Sequence, residues 1–286
     1  MEIKNFIVPI DFSEESLKGL KLAILFSKKT YINIQMVYVL RISTEYFPSS
    51  AEHEMEDAEK VFQKIIEKYT PELKNDSKLR YIVKKGKVYQ EVVNQAQSYK
   101  DSVVTASTHG VSGFEEFFIG SNAYRIISAT DRPVITLRKG RCPEDIKHIV
   151  LPIDTGDDTR QKVPFTTELA QLFGAKVHVI AVNSNKDDKA INKLRAYSAQ
   201  VAGYLTTARV KHETEELYGE NISDLIINYA KAVKANMISI MTEQTSGISL
   251  ILGNTAHQVI NKSDIPVLSI TPREIRIKGG SFTTTG

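Results

Sequence analysis

Residues 5–11 read Asn-Phe-Ile-Val-Pro-Ile-Asp, and residues 148–154 read His-Ile-Val-Leu-Pro-Ile-Asp. Each stretch is a nearly continuous apolar run, which is typical of a strand buried on both faces of a parallel sheet. The two copies lie 143 residues apart (148 − 5). Val134–Leu137 is echoed in the same way by Val267–Ile270, at an offset of 133 (267 − 134). Repeats at this distance predict two duplicated domains rather than a solenoid.

The length of 286 residues suits two domains of ordinary size. We predict a first domain at residues 1–140, a second domain at residues 145–273 and a loose tail at residues 274–286. The join is expected near residues 139–143, Lys-Gly-Arg-Cys-Pro, because glycine, proline and charge cluster there.

Both halves alternate apolar strand patterns with helical patterns, and each half is therefore predicted to be an α/β domain with a doubly wound, five-stranded parallel sheet. The predicted strands of the first half are Ile3–Ile10, Asn33–Val39, Leu79–Val83, Ser102–Ala106 and Val134–Leu137. Those of the second half are His148–Ile153, Lys176–Val182, Val210–Glu216, Met237–Met241 and Val267–Ile270. Helices in the first half are expected after Ser13 and at about Ala51–Tyr69, Val88–Tyr99 and Ser121–Ala129.

Composition excludes several classes of protein. The net charge of +3 is small for 286 residues and gives no support to nucleic-acid binding, and the basic run Lys84-Lys85-Gly86-Lys87 is more simply a solvated strand end. No apolar stretch approaches the roughly 20 residues of a membrane span. The chain has one cysteine, Cys142, and no secretory leader pattern, so the expected compartment is the cytoplasm.

The segment Ser107–Ser121 is a glycine-punctuated loop between a strand and a helix, the layout of a phosphate cradle. Asp11 ends the first strand, and ligands of doubly wound sheets bind beyond the carboxyl ends of the strands. If the first and fourth strands are neighbours, Asp11 and this loop face one crevice. The alternative for Asp11 is a residue that caps or orients the next helix, and the alternative for Ser121 is an ordinary helix cap.

Three motifs resemble the universal stress protein family over nearly the whole chain, as two tandem copies. They are Val-Pro-Ile-Asp-Phe-Ser at residues 8–13, Ala-Ser-Thr-His-Gly at residues 106–110 and Gly-Ser at residues 120–121. The resemblance implies an adenine nucleotide alpha hydrolase-like fold with strand order 3-2-1-4-5 in each half. The ATP-binding branch carries G-x2-G-x9-G-[S/T], and here Ser107 stands in place of the first glycine. A side chain is tolerated there if the backbone φ is negative.

The resemblance also implies roles for particular residues. Residues implied to contact the adenine or ribose are Pro9, Ile10, Asp11, Val39, Ala106 and Ser107. Residues implied to hold phosphates, mainly through backbone amides, are Gly110, Gly120, Ser121, Asn122 and Ala123. His109 is a further candidate for a phosphate contact, although a histidine in a glycine loop is more often structural or solvated. The implied cofactor is ATP or AMP, with Mg²⁺ as an optional companion of the phosphates. The aromatic residues of segment 111–119 are interpreted as a packing flap.

The second half departs from the family motif. Asp154 remains, but Thr242 and Thr245 stand where the motif has its two loop glycines, and Asn254 replaces Ser or Thr. The spacer from Thr245 to Gly253 is seven residues rather than nine, and Glu243 would repel a phosphate. A second ATP site is therefore not expected in this half.

Family members commonly dimerise through their last strands. We therefore expect Val134–Leu137 and Val267–Ile270 to pair antiparallel within one chain, as an intramolecular pseudo-dimer, with a homodimer of two chains also open. The favoured function is a stress-response protein that binds an adenine nucleotide in its first half and regulates partners. The alternatives are an interaction or chaperone-like module without nucleotide, and a weak ATP hydrolase. No catalytic motif supports an enzyme.

Overall fold

The computed structural model describes residues 3–40, 48–108, 120–138, 142–184, 187–242 and 253–272. The first half contains β1 (Asn5–Pro9), α1 (Glu14–Ser27), β2 (Asn33–Leu40), α2 (Pro48–Tyr69), β3 (Lys78–Lys85), α3 (Val88–Gln97), β4 (Ser102–Ser107), α4 (Ser121–Ala129) and β5 (Val134–Leu137). The second half contains β6 (His148–Ile153), α5 (Val163–Phe173), β7 (Lys176–Asn183), α6 (Asp188–Thr207), β8 (His212–Tyr218), α7 (Ile222–Ala232), β9 (Met237–Met241), α8 (Asn254–Lys262) and β10 (Val267–Ile270). Short 3₁₀ turns occupy Thr70–Glu72 and Asp157–Arg160.

The predicted elements are all present, with shifts at some of their ends. Among the strands the largest shift is in β8, which was predicted at Val210–Glu216 and runs from His212 to Tyr218. Arg209 has a left-handed φ of 58°, and the N–H of Val210 donates back to the carbonyl of Leu205 in α6, so Val210 still belongs to the turn that leaves the helix. α2 begins at Pro48 instead of Ala51.

The strands form one ten-stranded sheet rather than two separate sheets. Its order is β3-β2-β1-β4-β5-β10-β9-β6-β7-β8, so each half has the order 3-2-1-4-5. The strands run parallel within each half, and β5 pairs antiparallel with β10. The prediction of a five-stranded sheet was therefore right for each half, but the two sheets are joined edge to edge. We call the pairing of β5 with β10 the seam.

The seam has local two-fold symmetry. Ile135 pairs directly with Leu268, and these residues differ by 133 (268 − 135), the same offset that relates the two closing strands. The rings of Tyr124 and His257 also differ by 133 (257 − 124) and meet at 5.9 Å between their centroids. Equivalent residues thus face each other, as they do in an isologous interface.

Two apolar layers cover the two faces of the sheet. Phe6 and Val8 of β1 belong to one layer and Ile7 to the other, because successive side chains of a strand point to opposite faces. The layer that contains Phe6 is continuous through both halves. Phe26 of α1 and Phe173 of α5 meet edge to face at 4.9 Å within it. The halves therefore share part of their core as well as the sheet.

None of the helices in the described residues is both long enough and apolar enough to cross a bilayer. No group of three or more His, Cys, Asp or Glu side chains there is arranged to hold a metal ion.

Candidate functional site

The site lies at the carboxyl edge of the sheet in the first half. β1 has β2 on one side and β4 on the other. α1, which follows β1, packs in the layer that contains Phe6, whereas α4, which follows β4, packs in the opposite layer. The chain therefore leaves β1 and β4 in opposite directions, and this switch opens a crevice beyond their carboxyl ends.

Asp11 lies in a compact turn, two residues after the end of β1. Its Oδ1 accepts hydrogen bonds from the backbone N–H of Ser13, at 3.1 Å, and from the Ser13 hydroxyl. The Ser13 Oγ in turn caps α1 by accepting from the N–H of Ser16 at 3.1 Å. Asp11 thus orients the residue that caps α1, which is the alternative role that the sequence left open for it. The carboxylate is partly buried at the mouth of the crevice, so the orienting role leaves room for a ligand role.

Apolar residues at the ends of β1 and β2 flank this turn, with Ile10 in the layer that contains Phe6 and Val39 in the opposite layer. Ile10 is 4% exposed, and its N–H donates to the carbonyl of Val37 at 2.9 Å, which ties the end of β1 to β2. Val39 is buried near the end of β2, and Pro9 is partly buried. These three residues lie at the edge where the resemblance implied a base or ribose contact.

β4 brings Ala106 and Ser107 to the same edge. Ala106 is buried and Ser107 partly buried. Ser107 is the last residue of β4 and is not among the residues with positive φ. The backbone condition for tolerating a side chain at this motif position is therefore met, because Ser107 does not have the left-handed conformation that would favour glycine.

Thr108 closes the base of the loop and was not singled out from the sequence. Its N–H donates to the carbonyl of Leu137 at 2.8 Å, and its own carbonyl accepts the N–H of Gly120 at 2.7 Å. The ends of the loop are thereby held together. His109 and Gly110, together with the predicted flap at residues 111–119, lie outside the described residues.

The backbone amide of Gly120 has a different role from the predicted phosphate contact. Its N–H is engaged by Thr108, so in this arrangement it does not point to a phosphate. A Cβ at Gly120 would lie 2.7 Å from the Thr108 carbonyl oxygen, closer than real Cβ contacts. The glycine is needed for this close backbone approach, which the sequence motif does not distinguish from ligand contact.

The start of α4 holds the remaining phosphate candidates. Gly120 is the N-cap and forms no side-chain capping bond, so Ser121 is the first helical residue and not the cap. The N–H groups of Ser121, Asn122 and Ala123 belong to the first turn, where α-helices have no intrahelical acceptors. Together with the helix dipole they favour an anion. The Ser121 side chain is exposed, and the Ala123 methyl is buried in the core.

The second half aligns differently from the prediction. Met241 pairs with Ile270 as Ser107 pairs with Leu137, and the N–H of Thr242 donates to Ile270 as that of Thr108 does to Leu137. Thr242 therefore corresponds to Thr108, one residue away from the alignment made on the motif. The strand pairing shows which residues of the two halves are equivalent. The sequence motif could not show this, because the loop of the second half is shorter. Thr245 lies outside the described residues.

A buried lysine also distinguishes the second half. Lys162 is 2% exposed and donates through Nζ to the carbonyl and hydroxyl oxygens of Thr159. Burial lowers the pKa of Lys162 to about 8, against the opposing effect of the Asp154 carboxylate. Asp154 is exposed, unlike Asp11, and its Oδ1 accepts from the N–H of Gly156 at 2.7 Å. The two crevices therefore differ in charge as well as in loop sequence.

Comparison with known proteins agrees with this architecture. The model of the universal stress protein family matches residues 2–138 and again residues 145–270. The chain belongs to the universal stress protein family. It carries two tandem copies of the family domain, as the repeat and the motifs predicted.

Relatives of the chain include universal stress proteins of two organisms. One from Methanocaldococcus jannaschii is 25% identical over 146 residues, which span 48% of this chain and 82% of that protein. One from Synechocystis is 24% identical over 171 residues, 59% of this chain and 57% of that protein. The crystal structure of a universal stress protein from Archaeoglobus fulgidus covers 96% of this chain and 98% of its own, with a TM-score of 0.77 at 17% identity. At that identity the likeness supports the fold.

Proposed function

We propose that the first half of this universal stress protein binds one adenine nucleotide, ATP or AMP, at the carboxyl edge of β1 and β4. The observation that carries the proposal is the start of α4, where three first-turn amides have no side-chain cap and adjoin the sheet edge at which β1 leads into Asp11. An anion completes such a helix end.

Each part of the nucleotide has a complementary group. The amides of Ser121, Asn122 and Ala123 take the phosphates, and the Ser121 hydroxyl adds a donor. The Asp11 carboxylate is an acceptor for a ribose hydroxyl. Val39 and Ala106 offer apolar surface to the base, and Pro9 and Ile10 frame it at the end of β1. Mg²⁺, if it accompanies the phosphates, relies on phosphate oxygens, since the described residues contain no cluster of metal ligands.

The proposed activity is binding rather than turnover, and the bound nucleotide regulates association with partners in the cytoplasm. The second half, with its exposed Asp154 and buried Lys162, is proposed to serve as the structural partner of the first. The two-fold pairing of Ile135 with Leu268 supports an intramolecular pseudo-dimer. This arrangement uses the β5 and β10 edges, so a homodimer of two chains would need another surface.

The test uses a charge at the first position of α4. In Ser121→Asp the acid lies at a helix N-terminus, where it is compatible with helix stability, but it repels phosphate. Asn254→Asp places the same charge at the first residue of α8 and is the matched control. Released nucleotide is identified by chromatography after denaturation, and ATP and AMP are titrated by calorimetry with and without Mg²⁺.

About one nucleotide per chain, with affinity at least tenfold weaker in Ser121→Asp and unchanged in Asn254→Asp, supports the proposal. Equal loss in both variants would argue against a site confined to the first half. No released nucleotide and no binding at millimolar ATP would overturn the proposal and favour an interaction module.

A further inference from the structure

The residue after Asp11 has an unusual backbone. Phe12 has φ 64°, a left-handed conformation that is a genuine outlier for a bulky side chain. Among the residues that the structure describes, the other non-glycine residues with positive φ are Asn75, Asp76, Arg209 and Lys234, which lie in connections away from this edge of the sheet. Strained residues persist only where their surroundings hold them, and they cluster at functional sites.

Aromatic side chains hold Phe12 in place. Its ring lies 4.7 Å from that of Tyr38 on β2 and 5.0 Å from that of Phe62 on α2, measured between centroids. Phe62 is fully buried and stacks on Tyr81 of β3 at 4.5 Å. The Tyr38 hydroxyl donates to Glu54 of α2 at 2.9 Å, which fixes one wall of the cluster. This packing offsets the cost of the left-handed backbone.

The second half provides an internal comparison. Thr155 is the counterpart of Phe12 (155 − 12 = 143) and is not among the residues with positive φ. The counterparts of Tyr38 and Tyr81 are Ala181 and Thr214, so the aromatic cluster is missing as well. The carboxylate-to-amide bond of the turn nevertheless forms in both halves, from Ser13 to Asp11 and from Gly156 to Asp154.

The same bond thus forms in both halves, but in the first half it accompanies a left-handed residue whose ring is packed against its neighbours. What differs is the placement of the acid, since Asp11 is partly buried at the crevice and Asp154 is exposed. The left-handed conformation and its aromatic support occur together, and they occur in the first half.

We propose that Phe12 is a positioning residue of the nucleotide site: its ring, held by Tyr38 and Phe62, keeps the backbone left-handed and so directs the Asp11 carboxylate into the crevice. The inference rests on the proposed function for its ligand, but the placement of Asp11 is measurable without one.

The binding test is a double-mutant cycle with ATP. Phe12→Gly accepts the positive φ but loses the ring. We expect it to weaken ATP binding about tenfold, and Phe12→Tyr, which keeps the ring, to bind like the natural chain. If Phe12 acts through Asp11, the variant Phe12→Gly/Asp11→Asn binds no more weakly than Asp11→Asn alone. Phe6→Leu, in the same core layer but on the second residue of β1, is the control for general destabilisation and keeps its ATP affinity.

The second measurement is amide hydrogen exchange of the nucleotide-free protein. Protection of the Ser13 amide should fall in Phe12→Gly more than in Phe6→Leu, whereas protection of the Gly156 amide should not. Unchanged ATP affinity in Phe12→Gly, additive effects in the cycle or unchanged Ser13 protection would each overturn the proposal. If the natural chain does not bind ATP, the proposed function fails, and the exchange result alone then decides whether Phe12 positions Asp11.

Discussion

At the scale of single residues, close backbone contacts determine what each glycine contributes. Gly120 binds Thr108 through its backbone, whereas Gly203 in α6 has nothing within 4 Å of where a Cβ would be. Gly120 adjoins a helix and Gly203 lies within one, but only Gly203 has space for a Cβ. The two positions therefore form a matched pair for substitution by alanine.

We predict that Gly120→Ala lowers the free energy of unfolding by about 1–3 kcal/mol, because the new methyl group meets a backbone carbonyl that cannot move without shifting β4. Gly203→Ala is the control and should raise it by roughly 0.5–1 kcal/mol, since alanine is the better helix former. Urea unfolding of both variants measures the change. A neutral Gly120→Ala would contradict the assigned contact between Gly120 and Thr108.

At the scale of elements, the amino-terminal end of β6, β7 and β8 carries a titratable cluster. His178 of β7 is 3% exposed, and its Nε2 lies 2.9 Å from the Nδ1 of His148 on β6. Its Nδ1 contacts Glu213 of β8, which also pairs with Lys176, and Tyr229 of α7 covers the ring. The counterpart of His178 in the first half is Gln35 (178 − 143), which does not titrate.

Burial lowers the pKa of His178, against the opposing effect of Glu213. A histidine whose pKa is lower in the folded state stabilises the fold above its unfolded pKa of about 6.5, and the stabilisation is lost as the pH falls through the folded pKa. We therefore predict that the natural chain loses more free energy of unfolding between pH 7 and pH 5 than His178→Gln does. Urea unfolding at the two pH values measures this, and equal losses would rule out His178 as the titrating group.

At the scale of the whole molecule, the seam between β5 and β10 joins two copies of one domain. Ile135 and Leu268 are 1% and 0% exposed, and both would be uncovered if the halves were separated. A sheet edge left open in this way is a template for pairing with another strand.

We predict that residues 1–140, expressed alone, form a dimer in which two β5 edges pair antiparallel around Ile135. Light scattering after size-exclusion chromatography measures the mass. The full chain is the control, because its β5 edge is already paired with β10. A stable monomer of residues 1–140 would contradict the view that the seam is a dimer interface within one chain.

The sequence by itself determined the duplication, the alternation of strands and helices and the family, because apolar periodicity and short motifs are local properties. Val134–Leu137 and Met237–Met241 were predicted to the residue for that reason. Asp11 and the Ser107–Ser121 loop were predicted to face one crevice if the first and fourth strands are neighbours, and the family resemblance supplied that strand order.

Only the tertiary structure decided the rest, because it depends on contacts between residues far apart in the chain. The union of two sheets into one requires β5 to meet β10, and the match of Thr242 with Thr108 requires that both adjoin equivalent strands. The engagement of the Gly120 amide and the left-handed backbone of Phe12 likewise depend on Thr108 and on the rings of Tyr38 and Phe62. No local pattern carries this information, since the energy that selects each arrangement comes from its distant partner.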